Sequence, residues 1–194
     1  MRTRRLTAAR ALIATGAAGG LVAAASGGAP ASAGERAQAA AAASTINIRT
    51  TTTTLSFTGP STVRAGQPLR IRNLSDPQHH GGHTFTLVAA NLLPRTKAAQ
   101  EQCYTPGRIC MTAAKAHRAD AEGKPTRALV RAGRPGWEKP FSRTARTGDS
   151  WYSEKQGESI QQAVRAKAGT TLRYMCVLHP ELQGKIRVTG RTRR

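Results

Sequence analysis

Residues 172–188 read LRYMCVLHPELQGKIRV, and the fold turns on how this stretch is understood. An alternating apolar run ends at Cys176, a short loop carries His179, and a second strand-like run begins a few residues later. A thiolate and an imidazole three residues apart on a loop between two strands can reach one metal ion from the same side. A second imidazole is available in the segment HHGGHTFTLV, residues 79–88, where His83 stands at the mouth of a further strand. Two nitrogens and one soft sulfur in a trigonal set suit copper, with a weak fourth ligand above the plane.

Asn73, His83 and the strand that follows it, together with the closing YMCVLHPELQGKI, resemble the two halves of a cupredoxin, a small blue-copper protein similar to plastocyanin and amicyanin. The resemblance covers roughly residues 46–94 and 150–190. It implies an all-β Greek-key β-sandwich, one copper held by His83, Cys176 and His179, and electron transfer rather than enzymatic catalysis. The family pattern places an axial methionine three residues after the second histidine, where this chain has Leu182. Gln183 is adjacent, and its amide oxygen can serve as an axial ligand in related proteins. Met175 precedes Cys176 on a strand and should face the other side of the sheet. An apolar axial position leaves the ion nearly three-coordinate, which favours Cu(I) and raises the reduction potential.

The beginning of the chain reads as a targeting segment. Arg2, Arg4, Arg5 and Arg10 precede an Ala-rich apolar run from Ala11 to Ala25, and Ala31-Ser32-Ala33 is a small-residue cleavage site. Residues 1–33 are therefore expected to be a secretory signal peptide, leaving the route of export open. Without them the chain keeps 26 Lys+Arg against 10 Asp+Glu, a net charge of +16. Such an excess calls for anionic company, either an acidic redox partner protein or anionic cell-envelope polymers. Nucleic acid is a poor candidate for an exported protein. Residues 34–45 lack large apolar side chains and are expected to be a flexible lead-in to a domain spanning 46–190.

Within that domain a strand is expected from Ile46 through the threonines to Phe57, another over Leu69 to Asn73, and a third over Thr84 to Val88. The motifs AGQPLRIRN near Ala65 and AGTTLRYMC near Ala168 echo each other as turn then strand, each leading into a loop with candidate ligands. Residues 95–148 break the pattern and read as an insertion. Thr96 to Cys103 and Ile109 to Ala119 have helical composition, and the proline- and arginine-rich 123–148 reads as irregular basic loop. Strands are expected again near Trp151, over Ile160 to Val164, Thr171 to Cys176 and Lys185 to Thr189. Cys103 and Cys110 flank a Pro-Gly turn and are expected to form a disulfide that pins the insertion, which leaves Cys176 as the odd thiol.

The remaining histidines carry weaker signals. His117 lies in the helical, basic insertion and is expected to face solvent. His79 and His80 are expected at the surface, with an auxiliary H-x-x-H site toward His83 as the alternative. Structural zinc sites usually take four Cys or His ligands, often from paired C-x-x-C elements, and no second pair joins Cys176 and His179 here, nor are there H-x-H pairs for a multicopper oxidase. Three functions stay open at this point: electron transfer, copper carriage or scavenging without redox turnover, and a metal-free adhesion module held to anionic polymers.

Overall fold

The computed structural model describes residues 43–51, 54–76 and 81–190. The expected signal peptide, most of the lead-in, and His79 and His80 lie outside the described residues. Four strands open the chain: β1 (Ser44–Thr50), β2 (Leu55–Thr58), β3 (Thr62–Arg64) and β4 (Pro68–Asn73). The threonine run is thus two strands rather than one. β1 and β2 pair antiparallel, with Thr50 opposite Leu55. The Thr51 hydroxyl accepts from the Thr54 amide at 3.0 Å, and the Thr51 amide donates to the Thr54 carbonyl at 2.8 Å. β-branching favours extended backbone, but hydroxyls that bond locally let the chain turn inside such a run.

After β5 (His83–Leu87) come helices α1 (Lys97–Glu101) and α2 (Ile109–Ala116), then β6 (Leu129–Val130), β7 (Ser150–Ser153), β8 (Ser159–Ala163), β9 (Thr171–Met175) and β10 (Gln183–Thr189). One sheet runs β2-β1-β4-β8 and the other β3-β10-β9-β5-β7-β6. The two echoing motifs supply β4 and β9, one strand to each sheet, and each is entered through a glycine in the left-handed region, Gly66 at φ 82° and Gly169 at φ 88°. β4 shows the alternation expected of a half-buried strand, with Leu69, Ile71 and Asn73 buried and Arg70 and Arg72 exposed.

The sheets meet over a core that includes Ile46, Ile48, Leu69 and Ile71 from the first and Phe85, Leu87, Leu172, Tyr174, Ile186 and Val188 from the second. Part of the outer face of the six-stranded sheet is covered as well. Val88, Met175 and Val177 join Cys103, Ile109, Cys110, Ala113, Val130 and Phe141 in a second apolar cluster. The insertion thereby buries both faces of the sheet along β5 and β7 and at the end of β9, while Lys185 and Arg187 of β10 stay exposed. Every residue of β5 is buried, threonines included.

Cys103 and Cys110 are bridged, Cα to Cα 5.1 Å, and both are buried in this second cluster. Thr96 caps α1, its hydroxyl accepting from the Ala99 amide at 3.2 Å.

Two expectations for the insertion are corrected. Residues 123–148 are not a loose loop. β6 pairs with β7, Trp137 enters the main core with its indole N–H donating to the Leu69 carbonyl at 3.3 Å, and Phe141 is fully buried beside Val88. The Asp149 carboxylate accepts from the amides of Ala132, Glu138 and Lys139, fastening the segment to the start of β7. Gly148 must lack a side chain, because a Cβ there would stand 2.3 Å from the Phe141 nitrogen. Single aromatics at irregular spacing leave no periodicity to read, which hides their anchoring role. His117, expected to face solvent, is fully buried. Its Nδ1 lies 2.6 Å from the Arg127 carbonyl and its Nε2 2.7 Å from the Ser150 hydroxyl. Two good partners offset the cost of burying a neutral imidazole.

Candidate metal centre

The pairing of β5 with β9 places Thr86 opposite Met175 and Leu87 opposite Tyr174. Extending that register sets Thr84 beside Val177, and the Val177 amide donates to the Thr84 hydroxyl at 2.8 Å. Side chains alternate along strands, so His83, Phe85 and Leu87 share a face, as do Leu172, Tyr174 and Cys176. Phe85, Leu87, Leu172, Tyr174 and Cys176 all belong to the inner core, while Met175 lies in the outer cluster with the disulfide. Strand alternation alone therefore carries the methionine away from the site.

His179 is brought back by a tight loop. The Leu182 amide donates to the His179 carbonyl and the Cys176 amide to the Leu182 carbonyl, each at 2.9 Å. The Cys176 sulfur then lies 3.8 Å from Nδ1 of His83 and 3.6 Å from Nδ1 of His179. The two imidazole rings are 4.8 Å apart and tilted by 32°. One donor atom from each of the three residues falls within 4.8 Å of the others, and among the described residues this is the group of His, Cys, Asp or Glu that could hold a metal ion. With metal–sulfur and metal–nitrogen bonds of about 2.3 and 2.0 Å, a trigonal angle of 120° separates sulfur from nitrogen by about 3.7 Å. The two observed separations bracket that value, so the donors fit a small thiophilic ion without rearrangement of the sulfur. His83 and Cys176 are fully buried and His179 is half-buried, which makes His179 the side from which the centre meets its surroundings.

Burial pushes the Cys176 thiol above its ordinary value, against the pull of hydrogen bonds from Thr84, Leu178 and His179. The Thr84 amide reaches the sulfur at 3.2 Å. A bound cation would supply the charge that burial withholds and keep the sulfur as thiolate.

Around the three donors, Leu182 is buried in the same core cluster as Cys176. The Gln183 amide nitrogen donates to the carbonyls of Pro94 and Pro180, both at 2.7 Å. Two carbonyl partners can only be served by the nitrogen, so the orientation of that amide is fixed. Asn73 bonds through its nitrogen to the Ser153 hydroxyl at 3.2 Å and accepts the Ser75 amide at 2.9 Å, tying β4 to β7.

Tyr104 was not legible as a site residue. It follows Cys103 in the insertion, and its hydroxyl donates to the carbonyl of Val177, the residue after Cys176. Its hydroxyl is pushed up to about 12, first by burial, then by the negative charges of Cys176 and Glu181. Adjacency to a disulfide cysteine is its one signal in the sequence, and that does not reveal a partner 73 residues away.

No protein-family model and no curated protein matches the chain. Among solved structures it is similar to auracyanin B, at 16% identity over 75% of this chain and 88% of the other, TM-score 0.38. It is likewise similar to auracyanin A, described as a "blue" copper protein from the green thermophilic photosynthetic bacterium Chloroflexus aurantiacus, at 18% identity over 75% and 98%, TM-score 0.37. A third similar structure is the dithionite-reduced auracyanin of the photosynthetic bacterium Roseiflexus castenholzii, at 18% identity over 76% and 98%, TM-score 0.34.

Proposed function

We propose that the chain is an exported, non-enzymatic blue-copper protein that passes electrons through one copper held by Nδ1 of His83, Sγ of Cys176 and Nδ1 of His179. The observation that carries this reading is the pair of sulfur–nitrogen separations, 3.8 and 3.6 Å, in a buried two-nitrogen, one-sulfur set. Copper there would supply a one-electron couple. The chain's own residues hold the donors in place: β5 and β9 fix His83 and Cys176, the turn from His179 to Leu182 fixes the third, and the outer cluster keeps water from the back of the sheet.

An open cleft in the insertion supports an acidic redox partner. It has a volume of about 890 Å³ and is lined by Arg108, Lys115, Arg143 and Arg146, with no acidic residue among its walls. Pro94, in the same wall, accepts the Gln183 hydrogen bond beside the centre. Complementary charge at such a surface speeds encounter and weakens with salt.

Leu182 favours a second reading, a copper carrier, because an ion held by the three donors beside this side chain would find no fourth donor there, which would favour Cu(I). Titration of the purified protein with Cu(II), followed by visible spectroscopy and voltammetry, tests both. Electron transfer predicts an intense thiolate-to-copper band and a reversible wave. A carrier predicts tight Cu(I) binding with poor cycling. Absence of binding, or binding unaffected by Cys176→Ser, would remove both readings.

A further inference from the structure

A continuous file of buried polar groups connects His117 to the Cys176 loop across the outer face of the six-stranded sheet. His117 Nε2 lies 2.7 Å from the Ser150 hydroxyl, which lies 2.6 Å from that of Thr86. Thr86 donates to the Thr84 hydroxyl at 3.0 Å. The Thr84 oxygen also accepts the Val177 amide, and its own amide donates to the Cys176 sulfur. All five side chains are buried.

Counting hydrogens along this file shows that its two ends are not independent. The Arg127 carbonyl can only accept, so Nδ1 of His117 carries a hydrogen. Each hydroxyl has one hydrogen to give. With Thr86 donating to Thr84, the contact between Ser150 and Thr86 needs the hydrogen of Ser150, and the contact between His117 and Ser150 then needs a hydrogen on Nε2. With that direction every contact is filled when the imidazole carries both hydrogens. In that state Thr84 accepts twice, from Thr86 and from Val177. When His117 is neutral, Ser150 donates to Nε2 instead. Thr86 must then turn its hydrogen toward Ser150, and Thr84 gives its own hydrogen to Thr86 while accepting from Val177 alone.

We propose that His117 is a positioning residue for the Cys176 loop, setting the direction of the Ser150–Thr86–Thr84 hydroxyls and so how Thr84 holds the Val177 amide next to Cys176. The inference is distinct from the nature of the bound metal, although its use in electron transfer rests on the copper reading. The charged groups around His117 are few. Arg127 faces it from the segment after α2, Lys115 lies exposed on α2 itself, and Asp149 beside Ser150 turns its carboxylate to the amides of Ala132, Glu138 and Lys139. Burial lowers the imidazole from its ordinary value, outweighing the hydrogen bond to the Arg127 carbonyl that raises it, and the Arg127 charge lowers it a little further. The neutral pattern therefore holds at neutral pH and the charged pattern is reached on acidification.

The test is a pH titration of the metal-free protein followed by nuclear magnetic resonance at the His117 ring nitrogens and at the Thr84 and Val177 amides. In the parent protein both amides should shift with the midpoint of His117. Thr86→Ser keeps the hydroxyl and should keep that response. Thr86→Val removes it, and the two amides should lose the response while His117 still titrates. Amides that follow His117 equally in Thr86→Val, or that never follow it in the parent, would overturn the proposal. In copper-loaded protein the reduction potential should change with the same midpoint in the parent and in Thr86→Ser, but not in Thr86→Val. Failure to load copper would remove the proposed function and leave the metal-free titration to decide the relay.

Discussion

Replacing Cys103 and Cys110 together by alanine should cost stability without abolishing the metal centre. The two cysteines are 7 residues apart, and closing a loop of that length restricts the unfolded chain by about 2.5 kcal/mol at 25 °C. Both sulfurs are buried in the outer cluster against Ile109, Ala113 and Met175, so their removal also leaves a void and the cost should exceed the entropic figure. For a chain of this length, about 2.5 kcal/mol corresponds to a fall in Tm of roughly 5–10 °C. Urea unfolding with and without reductant measures it, since reductant should lower the parent protein toward the variant and leave the variant unchanged. His83, Cys176 and His179 lie on β5 and on the loop after β9, not on the helices, so metal affinity should fall by less than stability does. Equal stability of parent and variant would mean that the insertion is ordered without its bridge. A lost centre in a still-folded variant would mean that Tyr104, rather than the sheet, holds the ligand loop.

Leu182→Met should introduce a weak thioether ligand, stabilise Cu(II) relative to Cu(I) and lower the potential, as voltammetry would show; an unchanged potential would place Leu182 away from the metal. Gln183→Ala should leave the visible spectrum nearly unchanged and lower stability by about 1–3 kcal/mol, because the Pro94 and Pro180 carbonyls lose their donor. A shifted spectrum would instead make Gln183 an axial ligand. His117 binds its proton less readily in the folded protein than at its ordinary 6.5, so the unfolded chain holds more proton between that value and the lower folded one. Stability should therefore fall as pH drops through that window, and the urea midpoint of a His117→Gln variant should be flatter there.

The inner half of the fold was legible because it obeys a period of two. Leu69, Ile71 and Asn73 alternate with arginines, and the paired motifs at Ala65 and Ala168 announce one strand in each sheet. The three donors were legible for a related reason: each stands at the end of an apolar run, where a sheet terminates and side chains converge. The outer half was not. Covering the second face of the sheet takes single residues such as Phe141 and His117, from an insertion whose prolines and arginines carry no period. Thr84, Thr86 and Ser150 look like ordinary polar strand positions, since a sequence does not show that the face they occupy is covered.

That covering bears on which proposed function the chain serves. A carrier has to release its ion, and release requires a ligand to leave and water to enter. Two of the three donors, His83 and Cys176, are wholly buried between the core and the insertion, and half-buried His179 is the open side. Exchange must therefore proceed by swinging His179, whose turn is closed by the hydrogen bonds at Leu182, while the sulfur stays held by the Thr84 amide. An electron needs none of this movement. It needs donors that stay in place when the charge of the ion changes, and β5 with the end of β9, packed on both faces, provides them. Burial and fixed geometry thus weigh toward the electron carrier, against the apolar Leu182 that weighs toward Cu(I) storage. The rate at which a chelator withdraws Cu(I) decides between them: slow withdrawal that quickens in His179→Ala fits a fixed centre, and rapid withdrawal from the parent protein fits a cargo site.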